Sequence, residues 1–134
     1  MDAQPQFKFT YIAQLLVSDV ASAANWYEEH FGLAMGRVCR HGDRLTYAHM
    51  THAGRDCLLL HNLSALQDLG YLPKGASFNG LEIKVKVHGL EALHQHLAIR
   101  LPDLSAIAMG REGQNEFKVR DSNGYVLVFC EQAQ

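Results

Sequence analysis

The sequence predicts an α+β fold made of two tandem βαβββ modules in one domain. Three observations carry that reading. The order β-α-β-β-β occurs twice, and one offset of 70 residues, from Val20 to Leu90, lays the apolar positions of one half over those of the other. The chain has 134 residues, enough for a single domain with a hydrophobic core. A repeat of this length marks a duplicated supersecondary unit.

Module one runs from about residue 7 to 61. Phe7–Val17 is rich in β-formers, with Phe9, Tyr11, Ala13, Leu15 and Val17 on one face and Thr10, Ile12, Gln14 and Leu16 on the other. Ser18 or Asp19 caps a helix from Val20 to about His30. Its stripe is Val20, Ala23, Ala24, Tyr27 and Phe31, and Gly32 ends it. Strands over Leu33–Arg40, Arg44–Thr51 and Asp56–His61 follow, with turns at His41–Asp43 and His52–Arg55. Residues 62–79 read as a linker, with one helical turn at Ser64–Leu69 ended by Gly70, and with Pro73 and Gly75 irregular.

Module two, about 80–131, repeats the pattern. Leu81, Ile83, Val85 and Val87 alternate with Glu82, Lys84, Lys86 and His88, the mark of a half-buried strand. A helix spans Leu90 to about Arg100 on Leu93 and Leu97. Strands near Ser105–Met109, Asn115–Arg120 and Tyr125–Glu131 complete it, the last two joined by a turn containing Asn123-Gly124. At the same offset Tyr47 falls on Phe117, His49 on Val119, Leu58 on Val128 and Leu59 on Phe129.

Composition narrows the function. Apolar residues are 48% and charged residues 19%, with formal net charge -2, an ordinary globular balance without the basic stripe that nucleic acid requires. The opening residues lack a cationic start followed by an apolar run, and no apolar run approaches the length of a membrane span, so a cytoplasmic protein is expected. Three cysteines, Cys39, Cys57 and Cys130, have no paired spacing and read as buried reduced thiols.

Leu15–Leu33, LLVSDVASAANWYEEHFGL, resembles the opening of the vicinal-oxygen-chelate superfamily of glyoxalases, bleomycin resistance proteins and dioxygenases. There a strand ending in Val-x-Asp leads to a helix with an aromatic-Tyr pair and then Leu/Phe-Gly. Asn115–Glu131, NEFKVRDSNGYVLVFCE, is similar to its closing hairpin, with Ser122 where proline is usual. The resemblance spans about Phe7 to Glu131, and its look is closest to the bleomycin-resistance branch. It implies a homodimer whose paired sheets form small-molecule crevices.

The metal-dependent members take ligands from the first and last strand of each module. Carried over by the resemblance, those positions are Ile12, Leu58, Glu82 and Val128. Of these only Glu82 can coordinate a cation, and a divalent ion needs several such donors. The expectation is therefore a metal-free, cofactor-free protein that sequesters an aromatic or polar small molecule. A metal-dependent lyase or dioxygenase of the same fold is the alternative, and enzymatic activity stays open. A slip of one residue in a strand exchanges its two faces and would bring His61 toward the site.

The resemblance places Ile12, Gln14, Leu16, Tyr47, His49, Leu58 and Leu60 on the open face of the first sheet. It places Glu82, Lys84, Lys86, Phe117, Val119 and Val128 on that of the second. Gln14, Tyr47, His49, Glu82, Lys84 and Phe117 are the candidate ligand-binding residues. Tyr47 and Phe117 either stack on a planar ligand or pack as core or dimer contacts. Glu82 and Lys84 either orient a polar ligand or form an ion pair. His49 serves as a pocket residue, or as a base if a partner fixes its tautomer. His30, His41, His52, His88, His94 and His96 read as solvated or capping groups. Bleomycin is cationic and suits an acidic binder, so a neutral or anionic aromatic compound fits this charge better.

Overall fold

The structure, a computed structural model, describes residues 6, 10–70 and 82–132. The predicted positions Phe7, Phe9, Pro73, Gly75 and Leu81 lie outside them. The element order is β1 (Ala13–Val17), α1 (Val20–Phe31), β2 (Ala34–His41), β3 (Arg44–His52), β4 (Arg55–Asn62) and α2 (Leu63–Asp68) in the first part of the chain. The second part holds β5 (Glu82–Val87), α3 (Leu90–Ala98), β6 (Ala108–Met109), β7 (Asn115–Arg120) and β8 (Val126–Glu131). Two four-stranded sheets result, ordered β1-β4-β3-β2 and β5-β8-β7-β6. In each, the first strand pairs parallel with the last, and the other pairs are antiparallel. This is the tandem βαβββ fold.

Helix ends follow from local chemistry. Asp19 is extended and its carboxylate accepts the Ser22 N–H at 3.0 Å, capping α1. Gly32, at φ 67°, closes α1 in the left-handed region that a side chain disfavours. Helix α3 starts at Gly89, which has no side chain to cap with. Glu131, from the end of β8, reaches in and accepts the Gly89 and Leu90 N–H groups at 3.0 and 3.3 Å.

One core spans both modules. Leu15, Val17, Val20, Ala23, Tyr27, Ala48, Met50, Leu58 and Leu60 join Leu90, Leu97, Phe117, Val119, Leu127 and Phe129 in a single buried cluster. Phe31 stacks on Phe129, and Phe129 on Phe117, each with ring centres 5.3 Å apart. The helix-side faces of both sheets therefore close on the same apolar interior.

A polar cross-link runs through that core. Asp121, 5% exposed, accepts the Tyr27 hydroxyl at 2.6 Å through Oδ2. Its Oδ1 accepts the Asn123 and Tyr125 N–H groups, each at 2.9 Å, which shapes the turn to Gly124. The Tyr125 hydroxyl then donates to the Leu16 carbonyl at 2.8 Å and accepts the Leu16 N–H at 3.1 Å. Helix α1 and strand β1 of the first module are thus tied to one turn of the second. Burial, and then the Asp121 carboxylate, push the Tyr27 phenol far above its ordinary value of 10.0.

The unfolded chain releases the Tyr27 proton above about pH 10, whereas the folded chain holds it. This group's stabilisation is whole below about pH 10 and falls as pH rises further, by about 1.4 kcal/mol per pH unit. Urea unfolding of Tyr27→Phe is expected to show about 2 kcal/mol lost at pH 7, from the missing hydrogen bond to a charged acceptor. The variant is also expected to lose Tyr27's share of the alkaline slope.

Candidate functional site

Each sheet has one face under the helices and one face away from them; the second is the open face. On β1, Leu15 and Val17 are buried, so Gln14 and Leu16 point to the open side. On β3, Ala48 and Met50 point inward, and Tyr47, His49 and Thr51 point out. On β4, Leu58, Leu60 and Asn62 point inward, leaving Leu59 and His61 on the open face. Pairing agrees: Gln14 lies beside Leu59, which lies beside His49, while Leu16 lies beside His61 and His61 beside Tyr47.

A β-bulge adds one more group. Met50 pairs with Leu58, but Thr51 pairs with Asp56, so Cys57 is an extra residue in β4. The bulge turns Asp56 to the open face although Leu58 stays inside. Its carboxylate meets His49 Nδ1 at 3.1 Å, with the imidazole side chain 13% and the carboxylate 43% exposed. Tyr47 stands edge-on to both imidazoles, ring centres 5.0 Å from His49 and 5.3 Å from His61. His61 Nδ1 lies 3.1 Å from the Asn62 carbonyl, which only accepts, so Nδ1 carries the proton. The Cys57 thiol donates to the Met50 carbonyl at 3.4 Å; partial desolvation of the sulfur, although the residue as a whole is exposed, and then the Asp56 carboxylate push its pKa up.

The open face of the second sheet is ionic. Ile83, Val85 and Val87 turn inward, while Glu82, Lys84 and Lys86 turn out beside Val126, Val128 and Cys130. On β7, Phe117 and Val119 are core and Glu116, Lys118 and Arg120 are outward. Lys118 meets Glu82 at 3.1 Å, reaching across β8 over Val126 and Val128. Lys84 lies 3.8 Å from Glu112.

Of the six candidate binding residues, Gln14, Tyr47, His49, Glu82 and Lys84 lie on open faces. Phe117 does not: it is 1% exposed, packed between Phe129 and His94 in the helix-side core. Val119, Leu58 and Leu60 are also core residues, and the residue opposite His49 is Leu59. The cause is a change of offset. Gln14 pairs with Leu59 where Lys84 pairs with Val128, so the modules differ by 70 in the first strand and by 69 in the last. One constant offset of 70 cannot hold for all four strands, and it gives the wrong face to one strand of each module: β4, with Leu58 and Leu60, and β7, with Phe117 and Val119, while Tyr47, His49 and Val128 do lie on open faces. Cys39 and Cys57 are exposed rather than buried. His30 is buried, 4.9 Å from Trp26, rather than solvated or capping, and among the described residues its Nδ1 has no hydrogen-bond partner. His94 holds the Ser105 carbonyl at 2.8 Å.

Asp56, Leu59 and Lys118 are open-face residues that sequence reasoning did not choose, and His61 was named only as the residue that a one-residue slip would bring in. Leu58-Leu59-Leu60 is an unbroken apolar run and hides its parity. The alternation Phe117-Lys118-Val119-Arg120 did carry the signal that Phe117 points inward.

The chain matches the model of the Glyoxalase/Bleomycin resistance protein/Dioxygenase superfamily over residues 8–129. It belongs to that superfamily. No curated protein matches it. A glyoxalase-related enzyme from Clostridium phytofermentans superposes with TM-score 0.73 at 16% identity, covering 97% of this chain and 100% of that one. A lactoylglutathione lyase from Agrobacterium tumefaciens gives TM-score 0.68 at 18% identity, covering 96% of each chain. The bleomycin-binding protein of Streptomyces verticillus, complexed with copper(II)-bleomycin, gives 0.69 at 16%, covering 96% of this chain and 100% of that one. At these identities the likeness is one of fold.

The metal of the superfamily's enzymes does not fit the residues present. Ile12, Leu59 and Val128 are hydrocarbons, and Glu82 already holds a lysine ammonium. Among the described residues no three His, Cys, Asp or Glu side chains gather as a metal site. No helix among them is long and apolar enough to cross a membrane.

The thiol environment gives a check on the bulge. Cys57 is expected to react with iodoacetamide at pH 8 more slowly than free cysteine. Asp56→Asn should speed it several-fold, since a neighbouring negative charge disfavours the thiolate. Peptide mapping after timed alkylation reads both rates.

Proposed function

We propose that this protein is a cytoplasmic homodimer that binds a small planar molecule without a metal, in a crevice bounded by the open sheet faces. One observation carries the reading. Leu16, Tyr47, His49, Leu59 and His61 make a half-buried wall of aliphatic and aromatic surface carrying one phenol and two imidazoles, on the face turned away from the described helices. That is the make-up of a small-molecule site. The opposite composition of the second sheet supports a choice of ligand charge. Lys84, Lys86, Lys118 and Arg120 outnumber Glu82 and Glu116 on its open strands, which favours a neutral or anionic compound over a cation. Sequestration is in keeping with the bleomycin-binding proteins of similar fold, although a cationic drug suits this face poorly.

Two measurements test the proposal. Emission spectroscopy on protein purified without chelator is expected to find no stoichiometric divalent metal; one equivalent that disappears in Glu82→Gln would favour the lyase or dioxygenase reading. Anilinonaphthalene sulfonate, a planar aromatic anion, is expected to bind the folded protein. Tyr47→Ala should weaken it about tenfold, roughly the contribution of one stacked aromatic ring. Equal affinity in wild type and variant would remove the wall from the site.

A further inference from the structure

We propose that His49 is a general base, positioned by Asp56 for proton abstraction from a planar ligand on the open face of the first sheet. The inference rests on the binding reading above and goes beyond sequestration. It starts from the bulge. Regular pairing would send alternate residues of β4 to alternate faces, and with Leu58 inside, Asp56 would be inside too. The extra residue Cys57 instead places the carboxylate 3.1 Å from His49 Nδ1. Bulges of this kind re-aim a side chain at the expense of ladder hydrogen bonds.

The carboxylate fixes the tautomer. In the neutral ring Nδ1 carries the hydrogen and donates it to Asp56, which leaves Nε2 with a lone pair. Among the described residues Nε2 has no hydrogen-bond partner. After proton uptake the same carboxylate balances the imidazolium. Beside it stands Tyr47, whose hydroxyl likewise has no partner among the described residues and is free to donate to an oxygen on which charge develops. Base, orienting carboxylate and hydroxyl donor thus share one half-buried wall, the arrangement that proton abstraction next to a carbonyl needs.

The ligand class follows from the site: a planar compound with an acidic C–H next to a carbonyl. In the step, the C–H bond breaks, the proton goes to Nε2, and the electron pair stays on the substrate as an enolate. Return of that proton to another atom completes an isomerisation, and no further reactant is consumed. The groups around His49 that titrate or carry charge are Asp56, His61 and Cys57 from β4, Tyr47 from its own strand, and Cys39 and Arg37 from β2. Gln14, from β1, is neutral.

A nitrobenzisoxazole tests the base without knowledge of the natural substrate. Loss of its ring C–H proton to a base forms the nitrile and breaks the N–O bond, and the released phenolate is coloured. Wild-type protein is expected to accelerate this ring opening, with kcat rising through a single ionisation as pH increases. His49→Ala should lower kcat/KM about a hundredfold. Added imidazole should restore turnover to that variant and not to wild type, which a merely structural histidine would not produce. Asp56→Asn should lower kcat about tenfold with KM unchanged, and Asp56→Glu should recover part of it. Binding of an unreactive nitroindazole to the same proteins separates the two readings. Binding with no turnover, or with equal turnover in His49→Ala, overturns the base and leaves the binding site; loss of both binding and turnover overturns both.

Discussion

The buried carboxylate of Asp121 is the constraint on which the rest of the architecture depends. Two modules that each offer a helix-side apolar face would join in many orientations if hydrophobic burial alone decided, because that force has no direction. Asp121 adds direction. It is held by one side-chain hydroxyl from α1 and two backbone N–H groups of its own turn, and the next tyrosine hands the connection on to β1. A carboxylate so deeply buried tolerates little misplacement, since an unsatisfied buried charge costs several kcal/mol. The docking of modules thereby becomes specific, and the faces turned away from the shared core are defined.

Those faces differ in chemistry although their frameworks repeat. The first presents hydrocarbon, phenol and imidazole; the second presents lysine, arginine and glutamate held partly in ion pairs. The positions from which metal-dependent relatives draw ligands are mostly hydrocarbon here, and the one carboxylate among them faces a lysine. Such a surface offers few donors for a cation, and under the proposed binding role its leucines, phenol and imidazoles would give a planar organic molecule contact area and oriented polar groups. The His49–Asp56 pair shows how a single inserted residue places a charged group on a face that simple alternation would deny it.

Much of the fold was legible because hydrophobic period and turn chemistry agree along the chain. The α1 stripe, the Asp19 cap, the Gly32 stop and the Asn123-Gly124 turn are each written in neighbouring residues. Face assignment in β4 and β7 was less legible, since it depends on how many residues separate distant strands. The modules fall out of step by one residue between helix and last strand, which moved Phe117 and Val119 to the core and put Leu59 where Leu58 was expected. Nothing local to Asp56 or Cys57 announces the bulge; it emerges only when β3 pairs with β4. His30 was misplaced for a different reason, since a histidine at the end of a helix reads as solvated although it is buried here, with the Trp26 ring 4.9 Å away.

Amide shift mapping on isotope-labelled protein tests the central assignment most directly, with a planar aromatic carboxylate as titrant. Perturbations are predicted to gather at residues 47, 49, 59 and 61 and at the outward lysines 84 and 118. Perturbations confined to the depression of about 570 Å³ at the start of α1, lined by Asp19, Arg40 and Arg44, would contradict it. So would a response centred on the helix-side core.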